Sequence, residues 1–196
     1  MTKKIGRKRQ RRRRSRTRGL SPSEKQVIVD WVWESLPNPY QPLRRCLHLA
    51  MLTERLATKI HPHRRFLFQA GTAFWLSEAA PAGPEEQGVQ FGSEWSVDRL
   101  KARGDEWRLP PMLEMHCWVV DVTDPNRVQV IDLSTRHIAE QASQFGHTWS
   151  VEPLPDFIWS PREGLPYGTQ YVADPDATQY ARAHCGILRI ELGEVG

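Results

Sequence analysis

The chain has 196 residues, 39% of them hydrophobic, with eight tryptophans and fifteen prolines, enough for one sizeable core joined by many irregular connections. The net charge of +4 averages two unlike parts: eleven of the 27 Lys and Arg residues lie between Met1 and Arg18, where there is no acid, and the remainder carries 16 basic against 23 acidic residues. No stretch approaches the roughly 18 apolar residues of a membrane span, no apolar segment follows the arginines as in a secretory signal, and three widely spaced cysteines give no disulfide framework, so a reducing cytoplasm is the expected compartment.

Residues 1–20 read as a tail that is disordered when free, because like charges repel and there is little besides Ile5 to bury. Arg7, Arg9, Arg11, Arg12, Arg13 and Arg14 are the candidate contacts to RNA or DNA phosphates. Such binding gains affinity from counterion release, and no sequence-reading module accompanies the charge. Residues 21–196 read as a single domain.

Ser21-Pro22-Ser23-Glu24 predicts a capped helix start with Pro in the first turn. Val27, Val29, Trp31, Val32 and Leu36 would give that helix a broad apolar face, and Pro37-Asn38-Pro39 would stop it. A second helix is expected from Gln41 or Pro42 to Lys59, with Leu43, Cys46, Leu47, Ala50, Leu52 and Leu56 as its apolar positions. His61 and His63 belong to an exposed turn beside Arg64 and Arg65. Phe66 to Leu76 reads as a strand containing a glycine, and Ala79 to Gly88 as a surface loop.

The section from Gly92 to Pro111 fits no single pattern, with Trp95 and Trp107 as packing anchors. Met112 to Val122 and Val128 to Leu133 form a hairpin pattern around Thr123-Asp124-Pro125-Asn126-Arg127. Antiparallel pairing there sets His116 opposite Asp132 or within about three residues of it. A short helix follows from Ser134 or Thr135 to Phe145, and the Pro- and aromatic-rich stretch from Val151 to Gly168 wraps the core. A last short helix covers Asp176 to Ala183, and Gly186 to Leu192 alternates like a final strand. Helices first and antiparallel strands later predict an α+β fold with N-terminal helices packed on the sheet.

Three residues stand out chemically. A thiol near a helix start ionises more readily, a neighbouring imidazole completes an ion pair with it, and a carboxylate can hold that imidazole. Cys46, His116 and Asp132 supply these groups in chain order. Taken singly, Cys46 reads better as a small buried apolar residue and His116 as a structural one, and it is their combination in chain order that favours chemistry. Trp118 shares the strand face of His116 and would shield its ring. Zinc-type ligands are present in His61-Pro62-His63, His116-Cys117 and His184-Cys185, but without Cys-x-x-Cys or His-Glu-x-x-His spacing, so neither a metal nor another cofactor is expected.

His116-Cys117-Trp118 followed by Val130-Ile131-Asp132 resembles the His-x-Trp and closing Asp of the transglutaminase-like branch of papain-type cysteine enzymes. Cys46-Leu47-His48-Leu49-Ala50 resembles that family's nucleophile helix. The resemblance spans Pro42 to Ser134, and it implies a papain/transglutaminase-like core with Cys46 as nucleophile, His116 as base and acid, and Asp132 fixing the imidazole tautomer. It further implies a hydrolase or acyltransferase of the peptidase or amidase type. Leu43-Arg44-Arg45 lacks the Gly or Trp that often surround such nucleophiles, and Gln41 and Gln69 are the polar candidates for an oxyanion hole. Two other classes fit the same residues: a non-catalytic nucleic-acid-binding protein acting through the tail, and an interaction protein using its acidic body.

Overall fold

Ser21 starts the first helix by a reciprocal pair of bonds: its hydroxyl accepts from the Glu24 backbone, and the Glu24 carboxylate accepts from the Ser21 N–H at 2.7 Å. In this computed structural model, which describes residues 19–36, 45–76, 88–103, 114–144 and 155–191, helix α1 spans Pro22–Glu34. It buries Ile28, Val29 and Val32, whereas Val27 and Trp31 are about half exposed. The buried stripe is thus narrower than the apolar sequence suggests, because α1 is covered mainly on its α2 side. The basic tail's arginines lie outside the described residues.

Helix α2, Arg45–Ile60, buries Cys46, Leu49, Ala50, Thr53 and Ala57, spaced as one helical stripe. Leu47, Leu52 and Leu56, expected inside, are only partly buried. The stripe runs instead through small side chains, which lets the helix axis approach strands β3 (His116–Asp121) and β1 (Phe66–Leu76) closely. Between α2 and β1, Arg64 is buried rather than part of the exposed turn. Its Nε and Nη2 donate to Asp121 Oδ2 at 2.9 and 2.6 Å, and Asp121 Oδ1 accepts from the Thr123 N–H and hydroxyl, so both oxygens of this buried carboxylate are bonded.

All the strand pairs are antiparallel. Strands β2 (Gly88–Phe91), β1, β3, β4 (Gln129–Asp132) and β5 (Ile158–Pro161) lie in that order, and β6 (Gln170–Ala173) pairs with β1. Strand β2 begins at Gly88, where a loop was expected to end. The β3–β4 hairpin forms around Asp124, whose side chain accepts from the Asn126 N–H and whose carbonyl accepts from the Arg127 N–H. Residues 66–71 of β1 pair with β3 and residues 71–74 with β6. Gly71 is the point of changeover. A Cβ there would sit 2.2 Å from the Val172 carbonyl oxygen, so only glycine admits β6 at this distance.

Helix α3 (Val97–Arg103) fills part of the stretch that the sequence left unassigned, and a 3-10 turn at Thr135–His137 leads into α4 (Ile138–Gln144). The expected final strand is absent: α5 runs without a break over Pro175–Glu191. Asp174 explains this, because its side chain accepts from the Asp176 and Ala177 N–H groups and nucleates a helix that the short alternation after Gly186 does not interrupt. Thr178 ties α5 to the Ala70 backbone of β1.

The molecule is therefore α+β, with an antiparallel sheet between two apolar clusters. One joins α1 and α2 to the face carrying Phe68, Cys117, Val119 and Ile131. The other, on the opposite face, contains Trp75, Phe91, Trp118, Val130, Ile158 and Tyr171. No described helix is long and apolar enough to cross a membrane.

Candidate active site

His116 opens β3 and Asp132 closes β4, so the hairpin brings the two to the same end of the sheet. His116 Nε2 lies 2.8 Å from Asp132 Oδ2, and both side chains are buried. That bond occupies Nε2 and leaves Nδ1 as the ring nitrogen for Cys46, the second residue of α2, whose thiol is in hydrogen-bond contact with His116. The three residues singled out in the sequence thus meet, in the order thiol, imidazole, carboxylate.

Asp132 is held from both oxygens. Oδ1 accepts from the Ser134 N–H at 2.9 Å and from its hydroxyl at 2.7 Å. Oδ2 accepts from Tyr171 Oη at 2.7 Å as well as from His116. Burial alone would push this carboxyl upward, but the charge and hydrogen bond of His116, with the two Ser134 bonds, bring it below the ordinary carboxylate value. The buried group is therefore an anion with a full set of donors.

The imidazole responds in the opposite sense. Burial would lower its pKa, but the Asp132 charge and hydrogen bond, reinforced by Cys46, raise it to about 10. Cys46 is drawn well below an ordinary thiol, first by a hydrogen bond from the Cys117 thiol, then, against the cost of burial, by the bond and charge of His116. A thiolate–imidazolium pair at neutral pH is the result.

Aromatic rings enclose this pair. Trp75 meets the His116 ring edge-on with centroids 4.8 Å apart, and Trp118 stacks beside it at 6.3 Å and 15°. Tyr171 and Phe91 lie on its other sides at 6.1 and 6.2 Å. Such walls keep water from the imidazolium and lower the local dielectric, which strengthens its bond to Asp132. Trp118 itself donates to Gln69 Oε1 at 3.2 Å, its partner in the β1–β3 register. Gln69 is thereby anchored on its carbonyl side, and Gln41 lies outside the described residues.

Arg45, next to Cys46 in the chain, is buried with its Nη1 3.2 Å from His137 Nε2. Burial, then the Arg45 charge, depresses the His137 pKa. His61 and His63 are ring neighbours at 6.0 Å beside a cavity of about 290 Å³, just past the end of α2 opposite to the one that carries Cys46. Among the described residues no group of three or more His, Cys, Asp or Glu side chains is arranged to hold a metal ion.

Sequence reasoning missed Tyr171 and Ser134. Ser134 was visible in principle, since a Ser two residues after an Asp is a common partner for its carboxylate. Tyr171 sits in a four-residue strand with only one buried position, too short a pattern to announce an inward-facing ring.

No family model matches the chain, and no curated protein matches it. A protein solved as a genomics target is similar at 13% identity, over 85% of this chain and 70% of its own, with a TM-score of 0.44.

Proposed function

We propose that the protein is a cysteine hydrolase or acyltransferase of the peptidase or amidase type, built on a papain/transglutaminase-like core, with Cys46 as nucleophile, His116 as proton carrier and Asp132 as orienting carboxylate. The observation that carries this reading is the single imidazole shared between a buried, fully bonded carboxylate and a thiol that is drawn down to the thiolate.

In the first half-reaction the Cys46 sulfur attacks the carbonyl carbon of an amide or ester, and the carbonyl electron pair moves onto oxygen. As that pair returns, the bond to the leaving nitrogen or oxygen breaks, and the His116 imidazolium supplies its proton to the departing group. An acyl thioester on Cys46 remains, with His116 neutral. In the second half-reaction His116 takes a proton from water or an amine, which attacks the thioester and expels the Cys46 thiolate. Water makes the protein a hydrolase and an amine makes it a transferase. Asp132 keeps the Nε2 proton in place throughout, so that Nδ1 always faces the sulfur.

The test uses p-nitrophenyl acetate as acyl donor with the full-length protein. Acid quenching followed by peptide mass spectrometry should find the acetyl group on Cys46, with a burst of nitrophenol matching the protein concentration. Acetylation confined to lysines, at equal rates in the wild type and in Cys46→Ala, would overturn the reading.

A further inference from the structure

Cys117 carries no bond-making step of acyl transfer, yet it is directed at Cys46. Side chains alternate along β3, and Cys117 falls with Val119 on the face that packs against α2, opposite to Trp118. Its thiol and its backbone N–H both hydrogen-bond the Cys46 sulfur. The two cysteines are 7% and 2% exposed, share one apolar cluster, and neither is held in a disulfide. A structural thiol needs no such partner, since a buried cysteine is ordinarily satisfied by apolar packing.

We infer that Cys46 and Cys117 constitute an oxidative modification site, in which a peroxide converts the nucleophile to a sulfenic acid and Cys117 resolves it as an intramolecular disulfide. The inference goes beyond acyl transfer and needs only a thiolate beside a second thiol. An S–S bond of about 2.05 Å would join an early helix residue to a strand residue, and the two elements that carry them pack directly on each other.

The chemistry balances in two steps. The Cys46 thiolate attacks one peroxide oxygen, an S–O bond forms, the O–O bond breaks, and the departing hydroxide takes the imidazolium proton of His116 to leave as water. Cys117, losing its thiol proton, then attacks the Cys46 sulfur. The S–S bond forms, the S–O bond breaks, and the second hydroxide leaves as water with the proton from Cys117. Two sulfurs have each given up one electron, and one peroxide has become two waters. Without the second thiol, the sulfenic acid is open to a further peroxide and passes to the sulfinic acid, which thiols do not reduce. Cys117 would thus keep the nucleophile recoverable.

The experiment treats the full-length protein with equimolar hydrogen peroxide, alkylates remaining thiols with iodoacetamide under denaturing, non-reducing conditions, and maps the peptides by mass spectrometry. The Cys46 and Cys117 peptides should appear joined, two hydrogens below their summed mass and separable by dithiothreitol, while Cys185 stays alkylated. In Cys117→Ser, dimedone should capture Cys46, and continued exposure should give the sulfinic acid that dithiothreitol does not restore. Because the wild-type map needs no variant, a folding defect in Cys117→Ser leaves the test intact. Sulfinic acid on Cys46 with Cys117 still alkylated, or Cys46 joined to Cys185, would overturn the proposal. An acylated Cys46 without the disulfide defeats this inference alone, and a disulfide in a protein that never takes the acyl group defeats the acyl-transfer reading alone.

Discussion

His116 and Asp132 are joined diagonally rather than directly across their hairpin. Val119 is level with Ile131, so the register continues to set Asp132 level with Trp118, two residues from His116. The 2.8 Å bond therefore runs along the sheet as well as across it, at a spacing where Cα atoms are about 7 to 8 Å apart. That leaves room for Tyr171 from β6 to reach the same carboxylate oxygen.

The first prediction concerns the three groups as a unit. Cys46→Ala should remove acyl transfer altogether, and His116→Ala should lower it on the order of 10² to 10⁴-fold, the usual worth of a positioned general acid–base. Asp132→Asn should retain the fold and a small residual rate by releasing the tautomer. The check is the burst of nitrophenol in each variant. Full turnover by Cys46→Ala would contradict the assignment.

pH should act through the ion pair. The thiol of Cys46 is drawn down and the imidazole of His116 raised to about 10, so iodoacetamide should alkylate Cys46 at a nearly constant rate across neutral pH, without the ordinary thiol limb near about 8.5. In His116→Ala that limb should move upward. Stability follows the same groups. The raised His116 contributes fully below its unfolded value of about 6.5 and is lost as pH rises through about 10. The depressed Asp132 contributes above its unfolded value of about 3.9 and is lost as pH falls through its lower folded value. Melting temperatures from pH 2 to 11 should trace a plateau bounded by these two losses. A Cys46 alkylation rate that tracks an ordinary thiol would refute the ion pair.

Tyr171 should matter through Asp132 alone. Tyr171→Phe keeps the ring in its cage but deletes a 2.7 Å donor to a buried carboxylate, a change worth about 1.5 to 3 kcal/mol. With one donor fewer, the Asp132 carboxyl should titrate higher, and the acid edge of the stability plateau should shift upward with it. Denaturant melts at pH 3 and pH 7 check this: because the Tyr171 bond favours the carboxylate over the acid, the variant should lose more at pH 7 than at pH 3, where protonation of Asp132 removes part of that advantage from both proteins. Equal losses would reduce Tyr171 to packing.

Gly71→Ala should separate the site from the rest of the fold. The new Cβ would meet the Val172 oxygen at 2.2 Å and the Asp174 nitrogen at 2.8 Å, both backbone atoms that cannot swing aside. Strand β6 must then shift, taking Tyr171 away from Asp132, while β3 and the hairpin keep their pairing. Hydrogen exchange should show faster exchange across 170–174 than across 117–120, with a stability loss of several kcal/mol typical of strain at a tight backbone contact. Unchanged protection of β6 would refute the account.

How far the sequence carried the site follows from the kind of signal each residue leaves. Cys46, His116 and Asp132 were legible because each is a reactive type placed by local structure: a helix start, and two strands joined by an Asp-Pro turn whose geometry nearly fixes the register. The α+β class followed from the same periodicities. Tyr171 was not legible, because its position depends on Gly71 admitting β6 beside β1, a contact between residues about a hundred positions apart in the chain. Helix α5 was missed for a related reason. Its start is set by the Asp174 cap, whereas the alternation after Gly186 is a local pattern that a growing helix overrides. The burial of Arg64 likewise depends on Asp121, a partner on another strand.

The basic leader and the body should prove separable. Positions 1–18 hold eleven positive charges and few apolar side chains, so their removal deletes charge and little that could be buried. The truncated protein should keep a cooperative melt close to that of the full chain and should still form the acyl group on Cys46. Binding should change instead. If Arg7, Arg9 and Arg11 to Arg14 contact phosphates, affinity for arbitrary RNA or DNA should fall close to nothing on truncation, because the body that remains carries more acid than base. In the intact protein, log K for duplex DNA should decline linearly with log salt, each neutralised phosphate adding about 0.9 to the slope. Titrations of both proteins from low to physiological salt decide the matter. Equal affinity and equal slope in the truncated form would make the leader irrelevant and require a basic groove on the folded domain.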